Sequence, residues 1–157
     1  MKKLVTKILE IVCIVLFVFI TIIGTYQIVT RYVFDSPSTV SEELLTYSFT
    51  WLALLAAAFV FGKREHMRMG YFADKLSPMG RFILSIISEL LILLFAAIVL
   101  VYGGVSITRL TATQITASLG VPMSYIYIIL PVCGIITIFY SITNLIEIFR
   151  GGQSSSK

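Results

Sequence analysis

Four long apolar runs follow one another along this chain, with short polar segments between them. A helix needs about 20 mainly apolar residues to cross the hydrocarbon core of a bilayer, and each run reaches about that length. The runs do not alternate between apolar and polar positions, as the strands of a membrane barrel would. The pattern therefore predicts an all-α integral membrane protein with four transmembrane helices, over residues 8–31, 43–62, 82–108 and 123–146.

Composition supports a membrane protein built as one unit. Of the 157 residues, 58% are hydrophobic and 13% are charged, whereas a soluble domain is about half apolar and about a quarter charged. Two cysteines argue against a disulfide scaffold, and one histidine argues against a metal or haem site. We expect a single transmembrane domain over residues 1–150, a polar tail over residues 151–157, and no cofactor.

The basic residues predict the orientation of the helices. Three lysines precede the first span, five Lys or Arg residues lie between the second and third spans, and two follow the fourth. The opposite side carries only Arg31 and Arg109. Since Lys and Arg collect on the cytoplasmic side, both termini are expected to be cytoplasmic. The net charge of +4 is then a topology signal and gives no reason to expect nucleic-acid binding.

The first external connection contains a helix-start signal. Thr39 and Glu42 have the spacing of a capping box, and negative charge favours a helix N-terminus. The simplest interpretation is that Glu42 and Glu43 begin the second helix. The alternatives are an ion pair between Arg31 and one of these acids, or an acidic face for an external partner.

The cytoplasmic connection carries an amphipathic pattern. Met69, Phe72 and Leu76 fall on one helical face, and basic residues flank them. The pattern predicts a short helix that lies in the membrane interface and ends before Pro78. Docking of the same face on another subunit is equally compatible with the sequence.

The second external stretch predicts an extended third helix. Apolar or small polar side chains recur every four residues from position 107 to 119, so we expect the helix to continue to Gly120. Gly103 and Gly104 predict a bend. Pro131 should kink the fourth span, because proline removes a hydrogen bond from the helix.

Glu89 is an acidic side chain well inside a predicted span, about 10 Å along the third helix from residue 82. An ionisable group in the membrane is costly and by default suggests a function, here a proton or drug site. The alternative is a carboxyl that is protonated or paired with a basic group. A bundle so poor in buried charge fits an accessory or scaffold subunit better than a self-contained transporter.

The order of short motifs along the chain resembles one known family. The motifs are RYVF-x-S at 31–36, EELL-x-Y-x-F-x-W at 42–51, Ala56-Ala57, REHMR at 64–68, LSP-x-GR at 76–81, GVP at 120–122 and LP at 130–131. This set resembles the small membrane subunit of TRAP (tripartite ATP-independent periplasmic) transporters. The resemblance extends over nearly the whole chain.

The resemblance implies a non-catalytic subunit in the bacterial inner membrane. It would bind a large multi-spanning subunit that carries substrate and sodium, and would act as the scaffold for that subunit's transport domain. A periplasmic substrate-binding protein would deliver an organic acid, such as a dicarboxylate or sialic acid. The motif residues expected to contact the other subunit or to anchor the chain in the membrane are Arg31, Glu42, Glu43, Trp51, Arg64 and His66.

Two other functions remain open at this stage. The chain could be a self-contained four-span, proton-coupled multidrug exporter that works as a dimer and uses Glu89 as its coupling site. A membrane anchor for a redox enzyme is a weaker option. Inertness of the isolated chain in vesicles would favour the scaffold subunit over the exporter, and an absorbance spectrum free of haem bands would dismiss the redox anchor.

Overall fold

The computed structural model describes residues 2–63 and 78–152, which are almost entirely helical. The elements in chain order are α1 (Lys2–Tyr32), α2 (Thr39–Lys63), α3 (Pro78–Phe95), the π-helix π1 (Ala96–Gly103), α4 (Gly104–Leu110), α5 (Ser124–Tyr127) and α6 (Ile129–Gly152). Within these ranges, β structure is limited to an isolated bridge between Ile115 and Pro122.

Four helical stretches are long and apolar enough to cross a membrane. They cover Lys2–Tyr32, Thr39–Gly62, Phe82–Leu110 and Ser124–Phe149. The predicted number of spans and the all-α fold class are therefore confirmed. The predicted interfacial helix around Met69 lies outside the described residues.

The helices pack in the order α1, α2, α6 and then α3 with π1. In the apolar stretch of the fourth span, 33% of the residues are buried inside the bundle, against 6% in that of the first span. α6 is therefore the central helix, and α1 lies on the flank. Large apolar side chains along α1, such as Phe17 and Ile22, are exposed. In lipid these side chains meet a surface as apolar as themselves, which removes the usual cost of exposure.

Two glycines let α6 approach its neighbours closely. A Cβ atom at Gly62 of α2 would lie 2.7 Å from the Tyr140 ring, and one at Gly104 would lie 2.9 Å from Leu130 and Pro131. Small residues have this role in membrane bundles because association there depends on close packing. Gly104 thus serves helix contact. Gly103 and Gly104 both have right-handed helical dihedral angles, and they mark the point where π1 passes into α4, so the bend predicted there stays a prediction.

The third helix ends at Leu110 and does not continue to Gly120 as its periodicity predicts. Residues 111–123 instead form a folded loop, in which the Thr116 N–H bonds to the Val121 carbonyl and the Met123 N–H to the Gln114 carbonyl. Gly120 adopts a positive φ of 66°, which suits glycine. Three further N–H groups of this loop bond to the carboxylate of Glu43 on α2. These hydrogen bonds to a distant part of the chain override the four-residue spacing that favours a helix.

Two further boundaries have local causes. The N-cap of α2 is Ser38, whose Oγ accepts a hydrogen bond from the Ser41 N–H at 3.4 Å, so the capping box predicted for Thr39 and Glu42 is wrong. The fourth span is interrupted at Ile128, between α5 and α6. Pro131 has no N–H to offer the carbonyl four residues earlier, which explains an interruption at this point.

Candidate functional site

Polar side chains join the helices at both ends of the bundle. We call the end that holds residues 33–38 and 111–123 the loop end, and the end that holds the two termini the terminal end. At each end, a glutamate on one of the spanning helices contacts a distant part of the chain.

At the loop end, the Glu43 carboxylate accepts hydrogen bonds from three consecutive backbone N–H groups. These belong to Ala117 (3.2 Å), Ser118 (2.8 Å) and Leu119 (2.8 Å). A fourth bond comes from the Tyr47 hydroxyl at 2.8 Å. Successive N–H groups that converge on one anion form a backbone nest. Here the anion belongs to the same chain, so the nest fastens the loop to α2.

Trp51 adds a third contact from the same face of α2. Its Nε1–H donates to the Ile126 carbonyl of α5 at 3.0 Å. Glu43, Tyr47 and Trp51 are spaced four residues apart, which places them on one side of the helix. We call these three side chains, with the backbone groups they bind, the loop-end clasp.

The loop-end clasp differs from the ion pair with Arg31 that the sequence left open as an alternative. Within residues 2–63 and 78–152, Arg31 forms no ion pair with Glu42 or Glu43. Glu42 is exposed in the first turn of α2, where its backbone N–H bonds to the Ser38 carbonyl. The structure therefore separates the two acids that the sequence treats alike. Arg64 and His66 lie outside the described residues.

At the terminal end, Glu89 is 1% exposed and faces α6. The Ser141 Oγ lies 2.8 Å from Glu89 Oε2 and 3.0 Å from the Glu89 carbonyl oxygen. Glu89 Oε1 is buried without a hydrogen-bond partner. This contact joins the third span to the fourth inside the bundle.

Three further polar contacts lie near the terminal end. The Tyr140 hydroxyl, in a side chain that is 0% exposed, is 2.9 Å from Thr6 Oγ1. The Lys2 ammonium donates to Asn144 Oδ1 at 2.8 Å and forms an ion pair with Glu147 at 3.0 Å. These contacts tie the start of α1 to α6. Together with Glu89 and Ser141, these residues form what we call the terminal-end cluster.

Most residues of the terminal-end cluster are not singled out by the sequence patterns. One pattern could have indicated them: Ser141 and Asn144 of the cluster, together with Thr137, are buried polar residues that recur on one face of α6. Lys2 has a role beyond topology, because its partners lie more than 140 residues away in sequence. Periodicity within a helix cannot reveal such partners.

Two apolar cavities lie beside the loop-end clasp, and Trp51 lines both. One, of about 400 Å³, lies between α1, α2 and α5, and the other, of about 430 Å³, continues along α1 towards Leu55 and Ile129. Neither is lined by Glu89. Within the described ranges, no three metal-ligating side chains come together. The polar contacts described above join helices to one another and to the loop at residues 111–123.

Comparison with known proteins identifies the family. Residues 20–151 match the family described as the DctQ component of tripartite ATP-independent periplasmic transporters. A putative TRAP transporter small permease protein of Haemophilus influenzae is 30% identical over 94% of this chain and 93% of its own length. A second such protein of the same organism is 25% identical over 99% of this chain and 92% of its own.

A relative with a named substrate also matches. The sialic acid TRAP transporter small permease protein SiaQ of Vibrio cholerae is 28% identical over 99% of this chain and 91% of its own length. DctQ components are transport subunits and not enzymes. The family match covers well over half of the chain, and the relatives align with nearly all of it. The chain therefore belongs to the DctQ family, the small membrane subunits of TRAP transporters.

Proposed function

We propose that this chain is the non-transporting scaffold subunit of its transporter. The proposal is carried by the contacts of two glutamate carboxyl groups, which both bind within the chain. Glu43 binds the backbone of the chain's own loop, and Glu89 binds Ser141 of the neighbouring helix. Acids that hold helices together are poorly suited to capture and release a solute. The same contacts suit a frame that keeps its shape while another subunit moves.

The proposal assigns transport to partner subunits. A large multi-spanning membrane subunit carries the substrate with sodium, and a periplasmic protein delivers that substrate. The family membership supports such an assembly. Subunit-contact or anchoring roles for Arg31, Glu42, Glu43, Trp51, Arg64 and His66 are part of the proposal. Of these, Trp51 and Glu43 already bind within the chain, which favours Arg31 and Glu42 for contact with another subunit.

The substrate is proposed at the level of a class. One relative is named for sialic acid, and the other two carry no substrate in their names. We therefore propose an organic acid, such as a dicarboxylate or sialic acid. We also propose a bacterial inner-membrane location, which the family membership supports, with both termini in the cytoplasm, which the distribution of basic residues supports. A reporter that is active only in the cytoplasm should therefore be active when it is fused at Lys157, and a reporter that is active only in the periplasm should be inactive there.

Reconstitution tests the scaffold role directly. The chain alone in vesicles should carry no organic acid under a sodium gradient, whereas vesicles that also hold the large subunit and the binding protein should accumulate it. Drug or proton flux through the chain alone, abolished by Glu89→Gln, would establish the exporter instead. A scaffold carrying Glu89→Gln should support uptake by the complete assembly at the wild-type rate.

A further inference from the structure

Glu89 helps to join the helices of the scaffold, and it is also a buried titratable group whose proton the scaffold role does not assign. It lies within the third span, is 1% exposed, and makes its described hydrogen bonds with one side chain, Ser141. The Ser141 Oγ contacts two Glu89 oxygens, the carboxyl Oε2 at 2.8 Å and the backbone carbonyl at 3.0 Å. A serine hydroxyl has one hydrogen to donate. The position of each proton therefore decides whether both contacts are hydrogen bonds.

An ionised Glu89 would leave this site short of donors. Its two carboxylate oxygens and its carbonyl oxygen would all be acceptors, and Ser141 could donate to only one of them. Oε1 already has no partner. A buried carboxylate with at most one hydrogen bond is strongly disfavoured, because the charge has lost its water and gained nothing comparable.

A protonated Glu89 satisfies both contacts. The Oε2–H donates to Ser141 Oγ, and the Ser141 hydroxyl donates to the Glu89 carbonyl, so each hydrogen has one acceptor. We infer that Glu89 is a proton-binding site, held as a neutral acid that joins the third span to the fourth through Ser141. The unpartnered Oε1 is then the carbonyl oxygen of a neutral acid, which is far less costly to bury than a charge.

The described groups on the elements packed against α3 offer no competing cation. On α6, the Tyr140 hydroxyl contacts Thr6, Cys133 is buried, and Glu147 is paired with Lys2. On π1, Tyr102 is exposed. The Lys2 ammonium is held by Asn144 and Glu147. None of these groups forms an ion pair with Glu89 in the part of the chain that the structure describes.

Infrared spectroscopy of the full chain in lipid vesicles tests this inference. At neutral pH, the wild-type spectrum minus that of Glu89→Gln should contain the C=O stretch of a carboxylic acid. Uniform ¹³C-glutamate labelling should shift this band, which separates it from lipid ester bands. Ser141→Ala should move it to higher frequency, because the acid loses its hydrogen-bond acceptor. The readout needs no transport partner, so its outcome is independent of the scaffold role.

Glu147→Gln is the matched control. Both Glu147 carboxyl oxygens lie within 3.1 Å of the Lys2 ammonium, so this variant should lose a carboxylate band and keep the acid band. Loss of a carboxylate band in Glu89→Gln, with no acid band in the wild type, would overturn the inference. If Glu89→Gln does not accumulate, labelled wild-type protein decides alone: absence of an isotope-shifted acid band would contradict the assignment.

Discussion

Glu43 and Glu89 are the same residue type, yet the loop-end clasp and the terminal-end cluster use them in opposite ways. Glu43 accepts four hydrogen bonds, three of them from backbone N–H groups. Glu89 contacts one hydroxyl, and one of its oxygens has no partner. The first site gathers donors around a carboxylate, whereas the second lacks them.

The difference follows from where free backbone donors exist. Within a helix, each N–H is already bonded to a carbonyl four residues earlier, so a side chain in the membrane interior finds few donors. The loop at residues 111–123 is not helical and presents three N–H groups in succession. An acid can therefore remain charged at the loop end, while an acid in a helix interior has to carry its own hydrogen. The first arrangement joins the loop to α2, and the second joins the third span to the fourth.

The largest expected effect comes from disturbing the packing of the terminal-end cluster. Gly62→Ala places a Cβ atom 2.7 Å from the Tyr140 ring, which is fully buried and rigid. We expect a loss of about 3 kcal/mol in stability, near the upper end for overpacking, and a lower thermal unfolding midpoint in detergent. Gly103→Ala is the control, because its Cβ atom would meet nothing closer than 3.6 Å. Equal midpoints for both variants would show that close approach at Gly62 is unimportant.

A smaller effect is expected from the contact that joins the third and fourth spans. Ser141→Ala removes the partner of Glu89 and should cost about 1–2 kcal/mol, since a buried polar group is left unsatisfied. Ser106→Ala is the matched control, because its hydroxyl bonds only to the Tyr102 carbonyl of the same helical stretch, on an exposed face. The unfolding midpoint should fall only for Ser141→Ala. A fall of the same size in both variants would show that the contact between Ser141 and Glu89 contributes no more to stability than an exposed hydrogen bond within one helix.

The number and type of helices could be predicted from the sequence because lipid acts on each span separately. A run of about 20 apolar residues is sufficient for a helix in a bilayer, whatever its neighbours are. The motif order likewise pointed to the correct family. Helix ends were less predictable: four-residue spacing extended the third helix to Gly120, yet it ends at Leu110. The carboxylate that holds this loop is more than 70 residues away.

The candidate residues show the same limit. Glu42 and Glu43 are adjacent acids at a helix start, and no local pattern distinguishes the exposed one from the one that binds the loop. The sequence singles out Glu89, because an ionisable side chain inside a membrane span costs free energy whichever side chain it contacts. That partner, Ser141, could not be identified, since serine is common on helix surfaces and its position opposite Glu89 depends on how α3 and α6 pack.

The smallest effect on overall stability is expected at the loop-end clasp, where water can replace lost bonds. Glu43→Gln replaces one acceptor oxygen with an amide NH₂ group, which would face the N–H donors of the loop. Because two donors cannot bond to each other, the loop should detach locally. Hydrogen–deuterium exchange should accelerate at Ala117, Ser118 and Leu119 and remain unchanged in α3, with little change in the unfolding midpoint. Glu42→Gln, whose side chain makes none of these bonds, should leave the loop protected. Unchanged exchange in Glu43→Gln would mean that the loop holds its shape without the carboxylate, and only the terminal-end cluster would then depend on its acid.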